Sequence, residues 1–197
     1  MSIALAAKRH KQTQKPGRDT RLGDLWQALG IPADYSEQRH LPRQREASRV
    51  VAVGRSRAGR VVRLTPRAAA AWRRMCRAAA RAGVRLQPIS GFRSVRRQAE
   101  IIRGHLAGGR AIRAILRFIA APGCSEHHAG RALDIGSPAA PDLSGAFART
   151  REFRWLRRHA GRFGFHLSYP RGNPHRLGGE PWHWCWHARG RGGQPRP

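Results

Sequence analysis

Residues 125–134 read Ser125-Glu126-His127-His128-Ala129-Gly130-Arg131-Ala132-Leu133-Asp134. A hydroxyl, two imidazoles and two carboxylates fall within ten residues, with a single glycine among them. Ala132–Ile135 reads as a short strand, so the polar cluster occupies a loop that feeds directly into a sheet. A second short stretch, Glu180-Pro181-Trp182-His183, adds a carboxylate and an imidazole just before the alternating run Trp182–Trp186. Two strands carrying polar residues at their ends point to a small sheet with a site built on it.

Helices surround these strands in the sequence. Leu22, Leu25, Trp26 and Leu29 recur at helical spacing, and Gly30 and Pro32 end that helix. The segment Ile31–Ser48 reads as irregular. Val50–Gly54 and Val61–Leu64 flank a glycine-containing turn and predict a hairpin. Thr65-Pro66 supplies an N-cap and a first-turn proline for a helix that stops at Gly83. Val84–Ser90 alternates as a strand, and Pro88 predicts that it lies at an edge. Ser94 caps a helix running to about Leu106, and Ile112, Ile115, Leu116 and Ile119 predict another. Thr150 opens a helix ending near Gly161, and Phe163–Leu167 and Trp182–Trp186 read as strands. The order is α+β, with helices flanking a small antiparallel sheet. Residues 1–20 read as a disordered basic lead-in, 21–187 as a single domain, and 188–197 as a flexible tail.

The chain has 197 residues and a net charge of +28. Only three of its 39 basic residues are lysines, so arginine supplies the other 36, spread over the whole length. A nucleic-acid binder concentrates its basic residues on one face or tail. Arginine and alanine in excess are also what a GC-rich genome encodes; the functional counterpart is a field that attracts anionic cell-envelope polymers or nucleic acid. No apolar run is long enough to cross a membrane. The N-terminal apolar stretch is too short for an export signal and its charge follows it, so the expected location is cytoplasmic as written, with action at the envelope after export or release. A monomer is expected. The odd count of three cysteines (Cys76, Cys124, Cys185) offers no disulfide framework.

Acids number only eleven, so Asp134 and Glu180 beside histidines do not reflect a surplus of carboxylates. Hydrolytic zinc is held by three protein ligands with a fourth position open to water. His127, Asp134 and His183 make such a set. Cys185 or His187, on the same strand face as His183, is the alternative third ligand. His183 is preferred because Glu180, three residues earlier, can reach a water beside the metal. No HExxH occurs, which excludes the helix-borne zinc-peptidase arrangement.

Four ordered motifs carry a family resemblance over roughly residues 60–187. Ser125-x-His127-x-x-Gly130-x-Ala132-x-Asp134 resembles the SxHxxGxAxD signature of the VanY-type D-alanyl-D-alanine carboxypeptidases, and Glu180–His183 resembles their ExxH partner. Ser90-Gly91-Phe92-Arg93-Ser94 with Gln98 is similar to their SG(Y/F)RS…Q element, and Phe163-Gly164-Phe165 with Ser168-Tyr169-Pro170 to their lead-in. The resemblance implies a Hedgehog/D,D-peptidase-like sheet, one Zn2+ ion on His127, Asp134 and His183, and a peptidoglycan stem peptide as substrate. It implies Glu180 as general base, Arg93 as the cation facing the scissile carbonyl, and Ser125 and Gln98 as contacts to the substrate's C-terminal end. Tyr169 and Trp182 would line the pocket or pack in the core. His128 and Glu126 fall outside the ligand set, and Cys124 stands where the family has tyrosine. The expected activity is carboxypeptidase; a phage-type endopeptidase (endolysin) of the same superfamily and a basic nucleic-acid-binding module with a structural zinc are the alternatives.

Overall fold

Helix α1 (Arg18–Ala28) opens the computed structural model, which describes residues 18–188. The tail from 189 and all but the end of the basic lead-in lie outside the described residues. The helix starts inside that lead-in, because a helix nucleated by the stripe at Leu22, Leu25 and Trp26 gains one backbone bond for each residue added. Gly30, at φ 67°, terminates the turn that follows. A one-turn helix α2 (Tyr35–Gln38) interrupts the stretch read as irregular.

Strands β1 (Val51–Arg55) and β2 (Val61–Leu64) form the expected hairpin, pairing Val51 with Leu64. Helix α3 (Pro66–Arg81) starts where Thr65-Pro66 predicts, but the Thr65 side chain makes no cap bond. The Thr65 N–H donates instead to the Gly130 carbonyl at 2.8 Å, tying the start of α3 to the polar loop. Strand β3 is shorter than expected, Gln87–Ser90. The Val84 N–H is used to close the end of α3 on the Ala79 carbonyl and cannot join a ladder.

Helix α4 (Val95–Ala107) is capped by the Ser94 hydroxyl, which accepts from the Arg97 N–H. The helix expected over 112–119 shrinks to a single turn, α5 (Ile112–Ile115). The Arg117 carbonyl, an end group that a helix closing at 119 leaves unpaired, receives the Gly178 N–H at 2.7 Å. Strand β4 (Ala132–Gly136), helix α6 (Arg151–His159), capped by Thr150, and strands β5 (Phe165–Leu167) and β6 (His183–Trp186) complete the chain. No helix among the described residues is long and apolar enough to cross a membrane.

The main sheet runs β3-β4-β6-β5 with every pair antiparallel, and β3, carrying Pro88, is an edge strand as predicted. Alternation along the two central strands splits their side chains between two environments. Leu133, Ile135 and Trp184 enter one apolar cluster with Trp72 and Met75 of α3 and Leu156 of α6. A second cluster, built from Trp26, Tyr35, Leu41, Ile102, Ile115 and Tyr169, lies under α1, α4 and α5. Cys124 is buried there, as a thiol pushed up to about 11 by burial. Asp134 and His183 are register partners on β4 and β6, so their side chains emerge together from the sheet.

Candidate metal centre and active site

Ser125 leads into a short 3-10 turn, Glu126–Ala129, that Gly130 ends at φ 62°. A side chain there would be strained, and its Cβ would meet Ala47, Thr65 and Val50 at 3.1–3.3 Å. The turn buries both His127 and His128. His128 accepts the Gly123 N–H on Nε2 at 3.0 Å, so its Nδ1 carries the proton and donates to the Arg93 carbonyl at 2.6 Å. It therefore braces the loop that carries Arg93, and it is not among the three clustered side chains.

His127 donates from Nδ1 to the Gly91 carbonyl at 2.7 Å, leaving Nε2 free and 3.3 Å from Asp134 Oδ2. His183 presents Nδ1 to Asp134 Oδ1 at 3.2 Å. One ligand atom from each of the three residues lies within 4.8 Å of the others, and all three residues are buried. Ligands about 2.0–2.2 Å from a tetrahedral zinc sit roughly 3.3–3.5 Å apart, which the two histidine–Asp134 separations match, each to its own carboxylate oxygen. The borderline-soft N2O donor set also suits zinc. Cys185 and His187 are not in the cluster: Cys185 lies one strand position beyond Trp184, and His187 has left β6 and is exposed.

The charges are coupled. Burial alone would raise the Asp134 carboxyl, but the two histidines hold it well below the ordinary range. Burial pushes His127 down to about 4, against the pull of Asp134. For His183 burial also opposes protonation, yet its bonds to Asp134 and Glu126 prevail and push it up to about 10. A zinc ion held there would need a neutral nitrogen, so its binding would expel that proton. Titration of the metal-free protein at pH 8 is expected to release about one proton per zinc, and affinity to rise about tenfold per pH unit until His183 titrates. Calorimetry in buffers of different ionisation enthalpy measures the release.

Glu180 stands beside this cluster without joining it, its Oε2 3.8 Å from His183 Nδ1. Burial pushes the carboxyl up to about 7, with His183 and Arg93 opposing and Asp134 adding to the rise. Arg93 is half-buried; desolvation lowers its pKa while Asp134 and Glu180 favour its charge, and its Nε has no hydrogen-bond partner. All of these groups face one cavity of about 670 Å3. Ser125, Gln98, Tyr169 and Trp182 also line it. Gln98 is buried, donates Nε2 to the Ala120 carbonyl at 2.6 Å and leaves Oε1 unpaired. Tyr169 packs a tilted ring 4.7 Å from that of His183. Arg60, Arg63, Arg97 and Arg110 stand around the cavity, and Phe118 and Leu143 are the exposed large apolar side chains at its wall.

Gly91 is where the backbone passes closest to its neighbours: a Cβ would collide with the Arg63 carbonyl oxygen. Gly91→Ala is expected to cost about 1–3 kcal/mol of stability and to weaken zinc binding by displacing the carbonyl that orients His127. Thermal unfolding and chelator competition measure the two effects.

Two carboxylates escaped the sequence reading. Glu46 accepts the Val95 N–H at 2.5 Å, so an internal carboxylate already occupies the N-terminus of α4, next to Arg93. Glu126 lies 2.9 Å from His183 Nε2.

The family model for VanY, D-alanyl-D-alanine carboxypeptidase, matches residues 61–189, which contain every group described at the cavity except Arg60. The chain belongs to the VanY family. A curated relative, the putative carboxypeptidase YodJ of Bacillus subtilis (strain 168), is 34% identical over 119 residues, 59% of this chain. The match spans 43% of that relative's length. Among solved structures, the LdcB LD-carboxypeptidase superposes with a TM-score of 0.65 at 30% identity, covering 74% of this chain and 71% of that one. A glutamate-to-alanine mutant of the vancomycin-resistance D,D-pentapeptidase VanY in complex with Zn(II) gives 0.55 at 26% identity, over 79% and 82%. VanYB in complex with D-alanine-D-alanine gives 0.52 at 27% identity, over 71% and 79%. The antiparallel sheet with flanking helices is thus the fold of this family.

Proposed function

We propose that the chain is a zinc-dependent peptidase that trims peptidoglycan stem peptides, acting as a D-alanyl-D-alanine carboxypeptidase. The observation that carries this reading is the convergence of His127 Nε2, an Asp134 oxygen and His183 Nδ1, with Glu180 and Arg93 facing the same cavity. His127, Asp134 and His183 would hold the ion, which when bound supplies a Lewis acid and acidifies water.

The chain's own residues do the rest. Glu180 takes a proton from the attacking water onto its carboxylate and passes it to the leaving amine. Burial suits the group to both duties, because a carboxyl near 7 accepts and returns a proton readily. Arg93 is preorganised by the His128 bond to its carbonyl and places a cation where the tetrahedral oxyanion develops. The Ser125 hydroxyl donates to the peptide's terminal carboxylate and the free Oε1 of Gln98 accepts an N–H of the terminal residue, while Tyr169 and Trp182 wall the pocket. Arginines around the cavity suit a substrate bearing several carboxylates.

The nucleic-acid reading required a zinc closed by four protein ligands; among the described residues three converge. Product analysis on intact stem peptides tests the specificity. A D,D-carboxypeptidase releases free D-alanine from a pentapeptide, whereas an L,D-enzyme shortens only the tetrapeptide and an endopeptidase splits cross-linked dimers. Exclusive cleavage of cross-links would overturn the carboxypeptidase reading in favour of an endopeptidase.

A further inference from the structure

The Glu126 carboxylate reaches His183 from the side opposite Asp134. Its Oε2 lies 2.9 Å from His183 Nε2, while Nδ1 of the same ring faces Asp134 at 3.2 Å. The two nitrogens of an imidazole point in opposite directions, so Glu126 lies outside the cluster of ligand atoms. Its carboxylate is fixed in turn by the Ser168 hydroxyl, which donates to the same oxygen at 2.7 Å. Ser168 follows β5, and its N–H approaches the His183 carbonyl at 3.4 Å.

The two histidines are supported unequally. His127 leans on a neutral backbone carbonyl, that of Gly91, whereas His183 leans on an ion. A carboxylate accepting the far N–H fixes the tautomer, holds the ring plane and makes the facing nitrogen a stronger donor. Glu126 and His127 are adjacent in the 3-10 turn, so one turn supplies a ligand and also the support of a ligand on another strand.

We propose that Glu126, held by Ser168, is a positioning residue for the metal centre, orienting His183 so that Nδ1 faces the ion. This rests on the reading of His127, Asp134 and His183 as zinc ligands. The test is zinc affinity by competition with a chromophoric chelator, on the full chain, for wild type, Glu126→Ala, Glu126→Gln, Ser168→Ala and His183→Ala. Glu126→Ala is expected to bind zinc about 10–100-fold more weakly. Glu126→Gln, which keeps an acceptor of the same shape without the charge, should lose less, and Ser168→Ala should lose measurably. With zinc in excess, Glu126→Ala should regain most of its turnover, a rescue that a defect in the proton-transfer step would not allow. A folded Glu126→Ala or Glu126→Gln protein holding zinc as tightly as wild type overturns the proposal. Wild type binding zinc no better than His183→Ala would instead overturn the ligand assignment beneath it.

Discussion

Glu180→Ala is expected to lower kcat/KM by about 10^3-fold, within the range of a lost general acid–base group, while zinc affinity stays within a few-fold of wild type. The separation follows from geometry. Glu180 stands 3.8 Å from His183 Nδ1, beside the ligand cluster and not within it. The variant should also fold. A carboxyl raised from its ordinary value to about 7 binds its proton more tightly in the folded than in the unfolded chain. The folded state therefore loses stability as pH rises from about 4.5 to 7, and above that window the ionised group is a net burden. Removing it should leave the metal-free protein unfolding no lower than wild type at pH 8. Steady-state kinetics, chelator competition and thermal unfolding together measure this; an unchanged kcat/KM would remove Glu180 from the mechanism.

His183→Ala is expected to lose both metal and turnover. An apparent ~10–16 kcal/mol for a four-ligand zinc makes each ligand worth about 3–4 kcal/mol, or on the order of 10^2- to 10^3-fold in affinity. The substitution also strips the partner shared by Asp134, Glu126 and Glu180. Leaving buried carboxylates uncompensated costs about 3–5 kcal/mol, so the metal-free variant should unfold well below wild type. The sign with pH is opposite to that of Glu180. Asp134 and Glu126 are held below their ordinary values, and His183 lies above its own. The carboxylate contribution is present above about 4.5 and lost in acid; the histidine contribution is present below about 6.5 and lost as pH rises towards 10. The stability gap between wild type and variant should therefore be widest between about pH 4.5 and 6.5. Equal stability and equal zinc affinity would place the metal elsewhere.

Local rules carried a large part of this architecture. The cap at Ser94, the Thr65-Pro66 helix start, the Val50–Leu64 hairpin and the edge position of Pro88 follow from short-range chemistry that any reader of the chain can apply. The three residues proposed as ligands were legible for a different reason: Asp134 interrupts an apolar strand and His183 opens another, and the register of β4 against β6 pairs them directly.

Features decided by distant partners were not legible. The helix expected over 112–119 shortens to a single turn, and the Arg117 carbonyl just beyond it is bonded by the Gly178 N–H from across the fold. Ser94 marks the N-terminus of α4, but nothing near it in sequence shows that Glu46, 49 residues from Val95, bonds there. Glu126 looked like a bystander between Ser125 and His127. Its partner His183 lies 57 residues away, and only the antiparallel closure of the sheet brings the two together.

Release of free D-alanine from a pentapeptide muropeptide, followed in one sample through chelation and zinc repletion, bears most directly on a zinc carboxypeptidase. The expected course is release by the purified chain, loss on chelation, and recovery on adding back about one equivalent of zinc. Release that persists after the metal has been stripped, or a zinc-loaded protein that frees no D-alanine, would contradict it.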